Sequence, residues 1–434
     1  VGAIKEKDLI IKGALIVDGD GEIYKGKKVK ISGNKIVEVG DQVPEKDEEV
    51  LYRPNCVITP GLVNLHCHSP MGLMRGLGED LKIEDWFNQF IWRFETKLKP
   101  EDVKVGAFLG ISEMLKNGVT AFADHYFFPQ QIAEAVEEGG IRADIAPTIF
   151  GFGDKVDENI EEAAELIKSW NKKSGRITMQ MGPHAPYTCP PEVLEKVSRR
   201  AEELDVGVHI HVSETAEQVK ESIEQYGKTP FVILEETGLL KHPIIIGHGL
   251  WIEEDELSLI PDHAYFAACP KTYMKLAMGY GNLWDYFDRL PICIGTDGAA
   301  SSNTLNPLEQ ARLFALIGKQ MYGAERFSLQ ETWRVLMRGH KALGAKTGQI
   351  KPGYLADLVI WDLGAPSTWP VYNPLAALLF SADASHVRDV IVDGDFALKE
   401  KTLTRLNEED ILKAVRETVE KIDQRAEGKR FAQY

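Results

Sequence analysis

The chain has few cysteines, no long apolar run and fewer basic than acidic residues. Its five cysteines, Cys56, Cys67, Cys189, Cys269 and Cys293, are odd in number, scattered, and never spaced C-x-x-C. That argues against a disulfide framework and against a structural zinc knot. No apolar stretch reaches the roughly 20 residues of a membrane helix. The first residues, Val1 to Leu9, carry Lys5, Glu6, Lys7 and Asp8 and contain no apolar core of a secretory signal, so the expectation is a soluble, cytoplasmic protein. Lys and Arg number 50 against 66 Asp and Glu, a formal net charge of −16. Such a surface repels phosphate backbones and anionic lipid, which argues against nucleic acid and membranes as partners. An uncharged small molecule remains acceptable.

Several chemistries lack their signatures. No G-x-G-x-x-G opens a helix after a strand, and Gly227-Lys228-Thr229 lacks the upstream glycine of a phosphate loop. There is no G-x-S-x-G elbow. The H-x-E and P-C-x-x-C pair of the small zinc deaminases is also missing, which excludes their fold but not deamination itself.

What is present is an ordinary globular composition of 434 residues, 44% hydrophobic, enough for a large core. The first sixty residues read as β structure. Leu9-Ile10-Ile11 and Ala14–Val17 are short apolar runs, and Ser32-Gly33-Asn34 is a hairpin turn between Val29–Ile31 and Lys35–Val39. From about Asn64 to Gly344, β-rich runs alternate with longer amphipathic segments, as βα units require. The candidate strands are Val57–Leu65, Val119–Ala123, Ala143–Thr148, Ile177–Met181, Val206–Ile210, Ile244–Ile246, His263–Ala267 and Ile292–Ile294. Eight is the number that closes a parallel barrel. β character returns at Leu358–Trp361 and Val387–Val392, with Asp393-Gly394-Asp395 as a turn. The expected organisation is a (β/α)8 barrel over 61–350, inserted between the two parts of a β-sandwich, 1–60 and 351–434. The second part ends in an amphipathic helix that is N-capped by Asn407 and buries Ile411, Val415, Val419 and Ile422.

Chemistry-bearing residues gather at the strand ends. Leu65-His66-Cys67-His68 ends an apolar strand, and strand residues i and i+2 face the same way, so two imidazoles can reach one metal ion. Val208-His209-Ile210-His211-Val212-Ser213-Glu214 repeats the arrangement with a carboxylate three residues on. Spacing alone leaves open which of His209 and His211 would bind a metal. Glu214 is either a helix N-terminal acid or a proton shuttle. Asp297, in Gly295-Thr296-Asp297-Gly298, is either a turn residue or an oxygen ligand that also takes a proton. His248 follows Ile246-Gly247, and His184 lies in Gly182-Pro183-His184-Ala185-Pro186-Tyr187. Each lone histidine is more often structural than functional. Five of eight strand ends, however, carry His, His, His, His and Asp in chain order, and chance would have to produce that registry at each one separately. His125, after Asp124, is a further candidate for a supporting or substrate role. His242, His340 and His386 lack such a context, and His263 stands at the wrong end of its strand.

This pattern resembles the amidohydrolase superfamily over essentially the whole chain, from Ile58-Thr59-Pro60-Gly61-Leu62-Val63-Asn64-Leu65-His66-Cys67-His68 to Gly353-Tyr354-Leu355-Ala356-Asp357-Leu358-Val359. The resemblance implies one divalent metal ion, Zn2+ with Fe2+ as the alternative, on His66, His68, His211 and Asp297. It also implies three catalytic groups: Asp297 takes a proton from the attacking water, His248 orients that water, and Glu214 protonates the ring that is attacked. His184 stands where a bridging lysine would be needed, so a binuclear site is not expected. Within the superfamily the chain is most similar to the methylthioadenosine/S-adenosylhomocysteine deaminases. Met71-Gly72-Leu73-Met74-Arg75-Gly76-Leu77-Gly78-Glu79-Asp80, Val212-Ser213-Glu214-Thr215 and Gly295–Ser301 carry that likeness. It implies deamination of an adenine-type nucleoside, with Glu95 on the ribose hydroxyls, His184 on the purine and Trp86 lining the pocket.

Two departures bear on the substrate. The family's Asn-Pro-x-x-Asn-x-K-L segment reads Cys269-Pro270-Lys271-Thr272-Tyr273-Met274-Lys275-Leu276 here. No arginine occurs between Ala143 and Asn171, where one would receive a homocysteine carboxylate, so a charged tail is disfavoured. Asp124-His125-Tyr126-Phe127-Phe128-Pro129 also resembles triazine hydrolases, which keeps a triazine or guanine ring as the competing substrate. A homo-oligomer is compatible with all of this.

Overall fold

The computed structural model describes residues 8–45 and 48–426, so Lys5, Glu6 and Lys7 lie outside the described residues. Among the described residues no helix is long and apolar enough to cross a membrane.

The continuous apolar runs become fully buried parallel strands. Leu62–His68 and Val119–Tyr126 are buried at every position, as strands covered on both faces must be. The order around the ring follows the chain: Leu62–His68, Val119–Tyr126, Arg142–Ile149, then Ile177–Met179 continued by Gly182–Pro183. A parallel bridge from Met181 to Val208 leads to Val208–Val212, followed by Ile244–His248, Ala264–Ala268 and Ile292–Ile294. The last strand resumes at Asp297–Gly298, which pairs in parallel with Cys67–His68 and closes the barrel. The fold is a (β/α)8 barrel with an accompanying β-sandwich.

The sandwich has its own core. A sheet built from Leu9–Lys12, Lys28–Ser32, Lys35–Gly40 and Glu49–Tyr52 faces a larger one containing Leu15–Val17, Cys56–Pro60, Leu358–Asp362 and Val387–Val392. Ile11, Val29 and Ile31 pack with Ile16, Ile58, Leu358 and Ile391 between them. The strand expected at Val57–Leu65 is two strands. Cys56–Pro60 belongs to the sandwich, antiparallel to Leu358–Asp362, and the barrel strand starts at Leu62. The break falls at Gly61, where a Cβ would lie 1.9 Å from Thr120 Oγ1, a fit that only glycine permits.

Grouped by contacts, the sandwich unit takes residues up to Val63, Glu113–Ala121 and Asn306–Leu406, and the barrel unit takes the rest. This departs from the expected boundaries in three places, the first being Glu113–Ala121, which groups with the sandwich unit. The helices Pro307–Tyr322 and Leu329–Ala342 group with the sandwich, where the Trp333 indole N–H donates to the Asp18 carbonyl at 2.9 Å. The terminal helix Glu408–Arg425 groups with the barrel unit, where the Arg425 guanidinium pairs with Asp102 and donates to the Lys97 carbonyl at 2.9 Å. Apolar periodicity shows that a helix exists but not which surface it covers. Asn407 caps this helix as expected, accepting from the backbone N–H groups of Glu409 and Asp410 at 3.0 and 3.2 Å.

Candidate active site

Among the described residues the C-terminal rim of the barrel gathers His66, His68, His125, His184, His209, His211 and His248 with Asp124, Asp297 and Glu214, and Glu95 faces them across a cavity. His66 and His68 leave the first strand on the same face. His68 Nε2 lies 3.1 Å from Asp297 Oδ1, and His66 Nε2 lies 3.8 Å from it. His211 Nε2 is 3.4 Å from His68 Nε2. Ligand atoms of His66, His68 and Asp297 lie within 4.8 Å of one another, as do those of His66, His211 and His248.

The backbone makes room for His66. A Cβ on Gly247 would come within 2.9 Å of the His66 ring, and one on Gly295 within 2.8 Å of its Cβ. The two glycines, on strand ends separated by Ala264–Ala268, therefore leave room for His66, Gly247 beside its ring and Gly295 beside its Cβ and backbone. Ser213, His248 and Asp297 have φ of 46°, 72° and 60°. Left-handed backbone at non-glycine residues costs of order 1–3 kcal/mol each and persists where the surroundings over-determine it. Here those turns bring Glu214, the His248 ring and the Asp297 carboxylate to the rim.

The hydrogen bonds fix which ring nitrogen faces inward. His68 Nδ1 donates to the His125 carbonyl at 2.7 Å, and His211 Nδ1 donates to the His184 carbonyl at 2.8 Å. Each therefore turns its Nε2 into the site, where the two Nε2 atoms lie 3.4 Å apart and that of His68 faces Asp297. His66 Nδ1 meets His209 Nε2 at 2.8 Å, and His66 Nε2 is buried without a partner. His209 thus contacts His66 Nδ1, whereas His211 contributes to a group of ligand atoms with His66 and His248, so the geometry favours His211 over His209 as the candidate ligand. Asp297 is held from the other side by the Ser301 hydroxyl, which donates to Oδ2 at 2.6 Å. Asp124 receives the Ser69 backbone N–H at 3.1 Å and the Ser69 hydroxyl, so it anchors the turn that follows His68. Neither Ser301 nor Ser69 is legible in the sequence as a site residue, since both contacts run between separate strand ends or along one short turn.

The donor set fits a divalent ion. His66 belongs to both groups of ligand atoms, one with His68 and Asp297 and one with His211 and His248, His211 Nε2 lies 3.4 Å from His68 Nε2, and the buried His66 Nε2 has no hydrogen-bond partner. Burial lowers the proton affinity of His66, His211 and His248, with His211 and His248 at about 4, so these rings are neutral and able to ligate or accept. Burial opposes charge on His68 as well, but the Asp297 carboxylate overrides it and holds the ring at about 9. Burial also works against ionising Asp297, yet His68 keeps it well below the usual carboxylate range. An ion would take over the charge-balancing part of each partner.

Glu214 and His248 stand beside this cluster. Glu214 Oε1 is 3.4 Å from His248 Nε2, and Gln218 brackets the glutamate, accepting its backbone N–H at 3.0 Å and donating to Oε2 at 3.3 Å. Burial raises Glu214 above an ordinary glutamate. One cavity is lined by His68, His211, Glu214, His248 and Asp297 on one side and by Trp86, Glu95, His125 and His184 on the other. Glu95 accepts from the Tyr126 hydroxyl at 2.7 Å, and burial pushes it up to about 7. His184 Nδ1 meets Thr188 Oγ1 at 2.9 Å, and His125 Nδ1 meets Thr148 Oγ1 at 3.1 Å. Of the sequence-predicted site residues, all but His66 line this cavity; His66 lies 3.8 Å from Asp297 Oδ1, fully buried. Cys269 and Tyr273 do not line it; the Tyr273 hydroxyl instead accepts the Cys269 N–H at 2.9 Å. His242, His263, His340 and His386 are spent on structural partners such as Ser198, the Leu240 carbonyl, Thr347 and Ser367.

Residues 57–397 match the model of the amidohydrolase family. The chain is 38% identical over 403 residues to a 5-methylthioadenosine/S-adenosylhomocysteine deaminase of Thermococcus onnurineus (strain NA1), covering 91% of this chain and 95% of the relative. The structure of an adenosine deaminase from Xanthomonas campestris with bound zinc superposes with a TM-score of 0.92 at 31% identity, covering 97% and 99% of the two chains. An atrazine chlorohydrolase from Arthrobacter aurescens TC1 complexed with zinc superposes with a TM-score of 0.88 at 22% identity, covering 94% and 99%, a likeness of fold alone.

Proposed function

The chain belongs to the amidohydrolase family and is a hydrolase acting on C–N bonds; from that premise we propose that it deaminates the adenine ring of adenosine-type nucleosides. The observation that carries this reading is the single cavity that has Glu214 and the Asp297 cluster on one wall and the Tyr126-held Glu95 on the other. A ring attacked at the first wall would set a ribose against the second.

His66, His68, His211 and Asp297 would hold the ion, zinc by analogy with the zinc-bound relative. When bound, it supplies a water made nucleophilic at neutral pH. The protein's own groups do the rest. Asp297 accepts the proton of the attacking water. His248, neutral and beside Glu214, orients that water toward C6 of the purine. Glu214, whose proton affinity burial raises, gives its proton to the neighbouring ring nitrogen as the C6–O bond forms. The C6–N bond then breaks as Glu214 passes the C6 hydroxyl proton to the leaving amino group, ammonia departs, the proton held by Asp297 restores Glu214, and the inosine analogue remains. His184 and Trp86 hold the base, and Glu95 accepts from the ribose hydroxyls.

The test is ammonia release together with the adenine-to-hypoxanthine absorbance change from zinc-loaded protein. The panel is adenosine, 5′-deoxyadenosine, 5′-methylthioadenosine, S-adenosylhomocysteine, guanine and a chlorotriazine. Turnover of the adenosines supports the reading. Activity confined to guanine or the triazine would keep the catalytic groups and overturn the substrate.

A further inference from the structure

Two segments far apart in the chain, 71–80 and 269–276, meet at one ion pair. Lys275 Nζ lies 2.7 Å from Glu79 Oε2 and donates to Oε1 at 2.9 Å. Asn303 completes the junction. Its side-chain N–H donates to Glu79 Oε1 at 2.8 Å, its side-chain oxygen accepts from Lys275, and its carbonyl accepts from the Arg75 guanidinium. Asn303 has φ of 61°, a left-handed conformation that asparagine tolerates better than most residues. It can therefore end the helix Ala299–Ser302 and still turn to these partners.

Glu79 stands just before a helical run, Ile83–Trp86, Phe87–Ile91 and Trp92–Glu95, that carries Trp86 and Glu95 to the wall of the cavity. The far end of the run is tied where Glu95 accepts from Tyr126. The near end has little apolar packing, since among the described residues 75–90 only Trp86 is buried. Segments of that kind are the ones that open most readily. Gly78 carries the position of Glu79 to the ring, because a Cβ there would meet Trp86 Cδ1 at 3.2 Å and Phe90 Cδ2 at 3.1 Å.

Lys275 ends the helix Pro270–Lys275, which also reaches the reacting groups. The buried Thr272 hydroxyl lies 3.1 Å from Ser301 Oγ. Ser301 gives its proton to Asp297 Oδ2, the nearer of its two acceptors. A hydroxyl has one proton to give, so Thr272 donates to Ser301 and Ser301 to Asp297. The Tyr273 ring stands edge-on to His248, with ring centres 5.7 Å apart. One short helix thus touches the support of Asp297, the His248 ring and the segment that leads to Trp86.

Resting on the reading above that Trp86 holds the base, we propose that Lys275 is a positioning residue: through Glu79 it latches the Trp86 segment to the helix that supports Asp297 and His248. The latch keeps the base-holding wall in register with the reacting groups. The two side chains are 26% and 38% exposed. An ion pair at such a site shifts an equilibrium by up to about fivefold, which biases the segment toward the closed position without locking it there.

The experiment measures hydrogen exchange of residues 75–91 in zinc-loaded protein without ligand, then kcat and KM for adenosine and the inhibition constant of inosine. It compares wild type, Glu79→Gln, Lys275→Met and the double variant. Each single variant should speed exchange of this segment by up to about fivefold and raise KM and the inosine constant by a similar factor. kcat should change by less than KM, and zinc affinity in a chelator competition should match wild type. The double variant should equal the singles, because the same interaction is lost only once. The swapped pair, Glu79→Lys with Lys275→Glu, should exchange more slowly than either single reversal. Additive effects of Glu79→Gln and Lys275→Met, or wild-type exchange and KM in both, would overturn the latch. If neither adenosine nor inosine binds wild type, the nucleoside reading falls, and the exchange rates, which need no ligand, still decide for or against the latch.

Discussion

The Nδ1 of His66 lies 2.8 Å from the Nε2 of His209, and the far nitrogens of both rings, His66 Nε2 and His209 Nδ1, are buried without a hydrogen-bond partner. One proton between the rings satisfies this contact, and placing it on His66 Nδ1 leaves His66 Nε2 as a lone pair facing the cluster. His209 is therefore a positioning residue for a ligand. Residues in that position typically contribute 10- to 100-fold in metal affinity. His209→Ala should weaken zinc binding by about that factor in a chelator competition and leave circular dichroism unchanged. His211→Ala should lose the metal outright. The reverse pattern would show that the two histidines have been assigned the wrong way round.

Gly247→Ala tests the slot around His66. Its Cβ would meet Cε1, Nδ1 and Nε2 of the ring at 2.9, 3.2 and 3.2 Å. The ring cannot swing away freely, because His209 holds its Nδ1 edge at 2.8 Å. The expected result is a folded protein with reduced zinc content and reduced turnover, both rising with added zinc. Full metal occupancy at one equivalent of zinc would mean that the slot is looser than the distances indicate.

Much of this site is legible in the amino-acid sequence, and the reason is geometric. A closed parallel barrel brings all its strand ends to one rim, so His66, His68, His184, His211, His248 and Asp297 meet although they are spread over more than two hundred positions. The choice between His209 and His211 is not legible, because both have the same parity on one strand. It depends on depth, and on which side of His66 each ring falls. The pairing of Tyr126 with Glu95 is hidden for another reason, since Glu95 ends a short helix, Trp92–Glu95, whose path across the barrel mouth no periodicity encodes. The sandwich strands are legible from alternation and turns. The grouping of the helices at 307–342 is not, since an amphipathic stripe does not name its partner surface.

Glu214→Gln separates proton transfer from binding. Glutamine keeps the shape and can still meet Gln218, but it carries no transferable proton. Turnover should fall by about 10²- to 10⁴-fold, the usual contribution of a general acid–base group, while zinc content and the dissociation constant of the inosine product stay within a few-fold of wild type. His248→Asn should also retain zinc, because the four donors His66, His68, His211 and Asp297 remain, and should lower kcat more than it raises KM. Loss of the metal in His248→Asn would make His248 a fifth ligand, a role its distance from His66 and His211 would permit.

Glu95 gives the site a pH dependence that can be isolated. Burial is the main reason its carboxyl titrates near 7, with the Tyr126 hydroxyl and the neighbouring His68 pulling it down only in part. A carboxylate accepts from ribose hydroxyls, whereas the neutral acid competes as a donor. Because the value is raised, the favourable form dominates above about pH 7 and is lost as pH falls through it. The inhibition constant of inosine should therefore rise by up to about tenfold per unit below pH 7. Other groups titrate in the same region: burial pushes Asp124 up to about 6 and also raises Glu214. Those act on the base and on the ion, so they would weaken hypoxanthine as much as inosine. The ratio of the two inhibition constants cancels them and leaves Glu95. That ratio should change with pH in wild type and be flat in Glu95→Gln, with inosine weak at every pH. Parallel pH profiles for inosine and hypoxanthine in wild type would remove the ribose contact from Glu95 while leaving the assignments at the metal cluster untouched.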